Sequence, residues 1–234
     1  MNQFHTGLLT AGFIGLCLLQ CSALLASEQA APQEWRFRVS VDDKEVGIHE
    51  FQVHQQGNQQ VLSTMADFEY KLLFVTLFSY QHQDVEIWAD GCLARIESST
   101  DANGKDYAVL GEQREEGFVV EGSKGLQVLP ACVMSFAYWN PAFLKADKLL
   151  NSQNGDYMDV TVSEPVNDEL MVLGQSVTAK KYSLKADKLQ LQLWYSATGE
   201  WLGLESVQES GRILRYELLP DSGDTTASNG VAVL

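Results

Sequence analysis

Residues 35–41 read Trp-Arg-Phe-Arg-Val-Ser-Val, and residues 189–195 read Leu-Gln-Leu-Gln-Leu-Trp-Tyr. In the first, Trp35, Phe37, Val39 and Val41 alternate with Arg36, Arg38 and Ser40. In the second, Leu189, Leu191, Leu193 and Tyr195 alternate with Gln190, Gln192 and Trp194. A period of two sends successive side chains to opposite faces, so each stretch reads as a β-strand with one face on a core. The same alternation runs through 62–70, 158–162 and 214–218.

Turn residues punctuate these runs at Asp42-Asp43, Gly57-Asn58, Asp90-Gly91, Asn103-Gly104, Glu116-Gly117, Asn154-Gly155, Thr198-Gly199 and Ser210-Gly211. Asn-Gly and Asp-Gly supply the positive φ that tight hairpins require, so neighbouring strands are expected to be antiparallel. The spacing predicts an all-β meander of about ten to thirteen strands. No helical period separates the strands, which disfavours a parallel βαβ sheet. One short helix is expected: Asn140 caps it, Pro141 occupies its first turn, and Phe143, Leu144, Leu149 and Leu150 form its apolar side.

The run 72–80 breaks the alternation. Leu72, Leu73, Phe74, Val75, Leu77, Phe78 and Tyr80 put apolar groups on both faces of an extended chain. Two readings follow: a strand whose outer face is covered by the helix or another strand, or a strand with one face lining an apolar groove or barrel mouth.

The chain has 234 residues, 45% of them hydrophobic and 10% aromatic, which suits a packed domain. Its net charge of −15 comes from 31 Asp+Glu against 16 Lys+Arg. Phosphate binding needs a basic face, so no nucleic-acid partner is expected. The acidic charge begins only at Glu28. Before it, residues 8–19 are an apolar stretch of signal-peptide length, followed by small residues at Ser22, Ala23 and Ala26.

The expected division is a signal peptide at 1–26, a flexible linker at 27–33, one β domain at 34–219 and a disordered tail at 220–234. The compartment is then periplasmic or extracellular, with no transmembrane segment after cleavage. A rival reading has Cys21 acylated as a lipoprotein anchor, although Gln20 stands where such signals want a small residue; a second rival is an uncleaved anchor using residues 7–26. With the signal removed, Cys92 and Cys132 remain. A bridge between them would close about 40 residues and stabilise the fold by about 4 kcal/mol, two buried thiols being the alternative.

Several clusters lie in order along the chain: Trp88-Ala89-Asp90-Gly91, Ser99-Thr100-Asp101-Ala102-Asn103-Gly104, Phe136-Ala137-Tyr138-Trp139-Asn140-Pro141, Leu149-Leu150-Asn151 with Asn154-Gly155, and Leu193-Trp194-Tyr195 followed by Trp201. The series resembles an uncharacterised family of bacterial exported proteins, a domain of unknown function, from about Trp35 to Leu218. The resemblance implies a strongly curved antiparallel sheet, a half-barrel or barrel. It implies no activity.

Residues in spacings that carry chemistry are sparse. His49 and His54 are five apart and face opposite sides of a regular strand. His82 ends the apolar run beside Gln81, Gln83, Asp84 and Glu86, and reads either as a structural histidine or as a base or ligand. There is no Gly-x-Ser-x-Gly elbow, phosphate loop or metal-ligand spacing, so no catalytic residue, metal or cofactor is assigned. Tyr138, Trp139 and Asn140 join a strand end to the helix and form a polar-aromatic cluster of the kind that lines pockets.

The leading expectation is a non-catalytic barrel-like protein that binds an apolar or lipid-like small molecule through Phe74, Phe78, Tyr80, His82, Tyr138, Trp139 and Asn140. The alternatives are an envelope protein–protein assembly module with a filled core, and an enzyme of unknown class using His82. The enzyme stands lowest, because nothing supplies nucleophile, base and orienter together.

Overall fold

Asp90-Gly91 and Asn103-Gly104 both take left-handed backbone, with φ of 52° and 78° in the first pair and 58° and 75° in the second. Two successive positive φ values make the tight turn whose twist matches that of the flanking strands. Each dipeptide therefore reverses the chain between long antiparallel strands. The computed structural model describes Met1 and residues 32–72, 75–208 and 211–220. The expected signal segment, Cys21, nearly all of the expected linker and the tail from residue 221 lie outside the described residues.

The strands are β1 (Gln33–Val41), β2 (Lys44–Gln56), β3 (Gln59–Leu72), β4 (Val75–Ala89), β5 (Cys92–Ala102), β6 (Lys105–Arg114), β7 (Gly117–Gly122), β8 (Gly125–Leu129), β9 (Lys148–Leu150), β10 (Tyr157–Asp159), β11 (Thr161–Val162), β12 (Val166–Val172), β13 (Gln175–Ala186), β14 (Leu189–Tyr195), β15 (Trp201–Val207) and β16 (Ile213–Leu218). Fourteen of them form one sheet in the order β11-β13-β14-β15-β16-β1-β2-β3-β4-β5-β6-β7-β8, with β12 also on β13. The sheet is two antiparallel meanders joined where β16 pairs with β1. It curves on itself without closing. The strand number exceeds the expected ten to thirteen because short strands without clear alternation, such as β9 to β11, are added to the long ones.

Curvature has a local cause at β2. Val39 pairs with Gly47 whereas Ser40 pairs with Glu45, so Val46 is the extra residue of a bulge. Gly47 has φ 155°, and a Cβ there would stand 1.9 Å from the Asp67 carbonyl oxygen. Only glycine lets β2 and β3 approach so closely at that bend.

The concave face carries the core. Trp201 is its hub, with its ring centroid 4.3 Å from Phe37, 4.9 Å from Phe51 and 5.2 Å from Tyr138. The segment from 130 to 160 leaves the sheet after β8 and plugs one end of the curved sheet with Val133, Phe143, Leu149 and Leu150, all buried. It is pinned at its start: Cys92 and Cys132 form a disulfide with 5.1 Å between their Cα atoms, and Leu93 N donates to the Val133 carbonyl at 2.9 Å.

Two expectations need correction. The helix is a single 3-10 segment, Pro141–Lys145, while Leu149 and Leu150 belong to β9. The apolar run 72–80 is not one strand but parts of β3 and β4 on either side of a chain reversal, where Leu72 pairs with Val75. The two-faced pattern arises because the run belongs to two paired antiparallel strands, and it contains no Gly, Pro, Asn or Asp to mark where one gives way to the other.

Candidate functional site

Because partners in an antiparallel sheet share a face, the register places the concave side chains in rows across β1 to β5. Nearest the open end lie Gly47, Phe68, Tyr80 and Ala102. Next come Phe37, His49, Ala66, His82 and Thr100. Below them are Phe51, Thr64, Asp84 and Ser98, and then Val53, Leu62, Glu86 and Ile96. Along β4 alone the inward positions run Phe78, Tyr80, His82, Asp84, Glu86 and Trp88. Phe78 to Glu86 spans about 27 Å at about 3.4 Å per residue.

These rows enclose a cavity of about 630 Å³, walled also by Tyr216 and Leu214 of β16, Leu191 of β14, and Phe136, Tyr138 and Trp139 of the plug. The mouth is aromatic: Phe68 stacks on Tyr80 at 5.6 Å, and Phe78 on Tyr80 at 6.3 Å. Leu77 is 52% exposed there. Beside it, the Tyr70 ring carries Lys44 Nζ at 4.6 Å and the Arg212 guanidinium at 5.0 Å from its centroid.

The base of the cavity is polar and buried. His82 Nδ1 lies 2.8 Å from Thr100 Oγ1, and His49 Nδ1 lies 3.1 Å from the Tyr216 hydroxyl. Trp88 Nε1 donates to Glu86 Oε2 at 2.8 Å, and Glu86 is also hydrogen-bonded to Ser135 and Asp84. Asp84 is 4% exposed and Glu86 1%. Four buried polar atoms on side chains that line this cavity have no hydrogen-bond partner: His49 Nε2, Thr64 Oγ1, Asp84 Oδ1 and Trp139 Nε1.

Burial sets the charges. Loss of hydration holds His82 down to about 4 and His49 well below its ordinary value, with the proximity of His82 adding to the effect on His49. The same loss of water raises Glu86 to about 7 and Asp84 well above the usual carboxylate range, and the neighbouring Glu86 carboxylate pushes Asp84 further. Tyr80, Tyr138 and Tyr216 are likewise raised by burial. The base is thus rich in hydrogen-bonding groups and poor in charge at neutral pH. Such a surface can hold and orient a ligand's polar end while the aromatic mouth covers its apolar body.

Of the residues named from sequence, Phe78, Tyr80, His82, Tyr138 and Trp139 line the cavity. Phe74 lies outside the described residues. Asn140 is not brought to the cavity: its side chain accepts from Ala142 N at 3.1 Å and caps the 3-10 segment. Thr64 and Tyr216 carried no sequence signal as site residues, and Asp84 and Glu86 stood out only as polar neighbours of His82. The available signal was phase: continuing the inward positions of β4 from Phe78 and Tyr80 brings Asp84 and Glu86 inside and leaves Val85 45% exposed. Among the described residues no three of His, Cys, Asp and Glu are placed to share a metal ion, and no helix is long and apolar enough to cross a membrane.

No curated protein matches the chain. The fold is similar to that of a solved β-barrel-like protein of the domain of unknown function DUF1849 from Brucella abortus, with a TM-score of 0.59 and 11% identity over 82% of this chain and 97% of that one. At that identity the likeness concerns architecture alone. Residues 37–219, from the first inward phenylalanine of β1 to the residue after β16, match the model of the domain of unknown function DUF6134, and the chain belongs to that family.

Proposed function

We propose that this chain is a non-catalytic envelope protein, exported to the periplasm or secreted, that binds an apolar or lipid-like small molecule inside its curved sheet. The observation that carries the reading is the cavity of about 630 Å³ between the sheet and the plug, a size typical of small-molecule sites. Its walls are mostly aromatic and aliphatic. Its buried ionisable groups, His49, His82, Asp84 and Glu86, gather below the aromatic mouth, as an amphiphile requires. A space of this size also argues against the assembly-module alternative, which calls for a filled core.

The test is extraction of the natively purified protein with organic solvent and mass spectrometry of the extract, followed by titration with the neutral dye N-phenyl-1-naphthylamine. A stoichiometric apolar compound in the extract, or saturable dye uptake by the stripped protein, is expected. An empty extract together with no uptake overturns the reading.

A further inference from the structure

Three neighbouring strand ends meet at the mouth of the cavity and bring two cations to one ring. Lys44 opens β2 directly after the Asp42-Asp43 turn, Arg212 immediately precedes β16, and Tyr70 lies near the end of β3. The first two ends are tied together: Asp42 N donates to the Ile213 carbonyl at 3.1 Å, and Ile213 N donates to Asp42 Oδ1 at 3.1 Å. Lys44 Nζ then stands 4.6 Å and the Arg212 guanidinium 5.0 Å from the centroid of the Tyr70 ring. Tyr70 and Arg212 both line the cavity.

Two like charges drawn to one ring repel each other, and an anion near both relieves that repulsion. The acids of this rim leave room for one. Asp43 is held by Arg215 at 2.8 Å, and Glu69 by Lys71 at 2.6 Å. Asp42 stands 3.8 Å from Arg212 Nε, at the outer limit of an ion pair. Lys44 Nζ donates to the Lys71 carbonyl and forms no ion pair among the described residues. The guanidinium fork is built to take two oxygens of a carboxylate or phosphate.

Deeper in, the charges are arranged against an anion. Among the described residues lining the cavity, Arg212 is the only Lys or Arg, and the buried part carries Asp84 and Glu86. Loss of hydration keeps His49 and His82 neutral beside them at neutral pH. An anionic head therefore finds its partners at the mouth, and the uncharged end of the molecule goes inward.

Resting on the binding reading above, we propose that the ligand is an anionic amphiphile, its carboxylate or phosphate head held at the mouth by Arg212 and Lys44 and its apolar chain lying in the cavity.

Displacement of N-phenyl-1-naphthylamine from the full chain tests this at neutral pH, with dodecanoate, dodecyl phosphate, dodecanol and dodecyltrimethylammonium each below its micellar concentration. The anions are expected to displace the dye at about tenfold lower concentration than dodecanol, since two exposed ion pairs contribute about threefold each. Nonspecific association with a chain of net charge −15 would favour the cation instead. Both side chains are exposed, so Arg212→Gln and Lys44→Gln should leave the melting curve and the affinities for dye and dodecanol close to wild type. Each should cut the anion advantage to about threefold, and the double variant should abolish it. An advantage confined to one anion supports the inference and identifies the head as carboxylate or phosphate. Dodecanol or the cation displacing the dye as well as both anions overturns it, as does an advantage that survives in the double variant. An empty extract together with no dye uptake overturns the binding reading itself.

Discussion

Trp88 Nε1 donates to Glu86 Oε2 at 2.8 Å, two residues away on the same face of β4, so the indole holds a buried carboxyl at the floor of the cavity. Because burial raises that carboxyl from 4.5 to about 7, the folded protein retains a proton that the unfolded chain releases. Folding therefore binds a proton between those values, and Glu86 makes stability fall as pH rises through them. His82 acts oppositely: its folded value of about 4 lies below 6.5, so its contribution rises with pH over that window. The two slopes oppose each other between pH 4.5 and 6.5. Glu86→Gln removes the carboxyl's slope and relieves the push it exerts on Asp84, and the variant's stability relative to wild type should climb between pH 4.5 and 7 by up to about 3 kcal/mol, then level off. Melts followed by circular dichroism across that range check this, and a pH-independent difference contradicts it.

The disulfide anchors the plug as well as closing a loop. Thiol labelling of the denatured, unreduced protein should give no adducts at Cys92 or Cys132. The double replacement Cys92→Ser/Cys132→Ser should cost about 4 kcal/mol in denaturant unfolding and weaken dye uptake, since Trp139 and Tyr138 ride on the segment the bridge holds.

Gly47→Ala forces a Cβ onto the Asp67 carbonyl at the bend of β2. The expected cost is about 3 kcal/mol or more, measured as a shift in the urea midpoint, because the backbone of two paired strands must move apart.

Ala102 faces Tyr80 across the β4–β5 pair at the cavity mouth. Ala102→Phe should narrow the entrance and weaken dye binding by about tenfold, about 1.4 kcal/mol, while the melting temperature changes little because the position is only half-buried. Unchanged binding would place the entry route elsewhere.

Asn140→Ala should lower stability by about 1 kcal/mol through loss of the cap and leave dye affinity unchanged, since Asn140 does not line the cavity. An altered affinity would contradict that separation.

The curved antiparallel sheet was legible in residues such as Phe37, Val39, Leu191 and Leu193, whose period of two survives burial on one face. The tight turns at Asp90-Gly91 and Asn103-Gly104 were legible because positive φ selects those residues. The cavity was half legible: Phe78, Tyr80 and Trp139 are apolar or aromatic and drew notice. Asp84 and Glu86 drew notice only as neighbours of His82 and not as lining, because a pattern that sends apolar residues inward assigns Val85 and Ile87 to the core. Their inversion is a tertiary fact, set by hydrogen bonds from Trp88 and Ser135 that only the folded sheet supplies. The division of 72–80 between β3 and β4 was hidden for a related reason, since no residue that punctuates a sequence lies within the run.

The pairing of β1 with β16 bears on the order in which the molecule assembles. Phe37 pairs with Leu218 and Arg38 with Glu217, so the first strand lies mid-sheet and acquires its second neighbour only from the last. The meander β1 to β8 needs only local hairpins and can form early. The join to β16 requires a loop of nearly the whole domain to close, the kind of distant contact that slows folding. Until then β1 presents an open edge of unpaired amides and carbonyls, an invitation to intermolecular pairing. A chain that ends before residue 213 keeps that edge permanently, so such truncations should aggregate even though every residue of β1 to β8 is present.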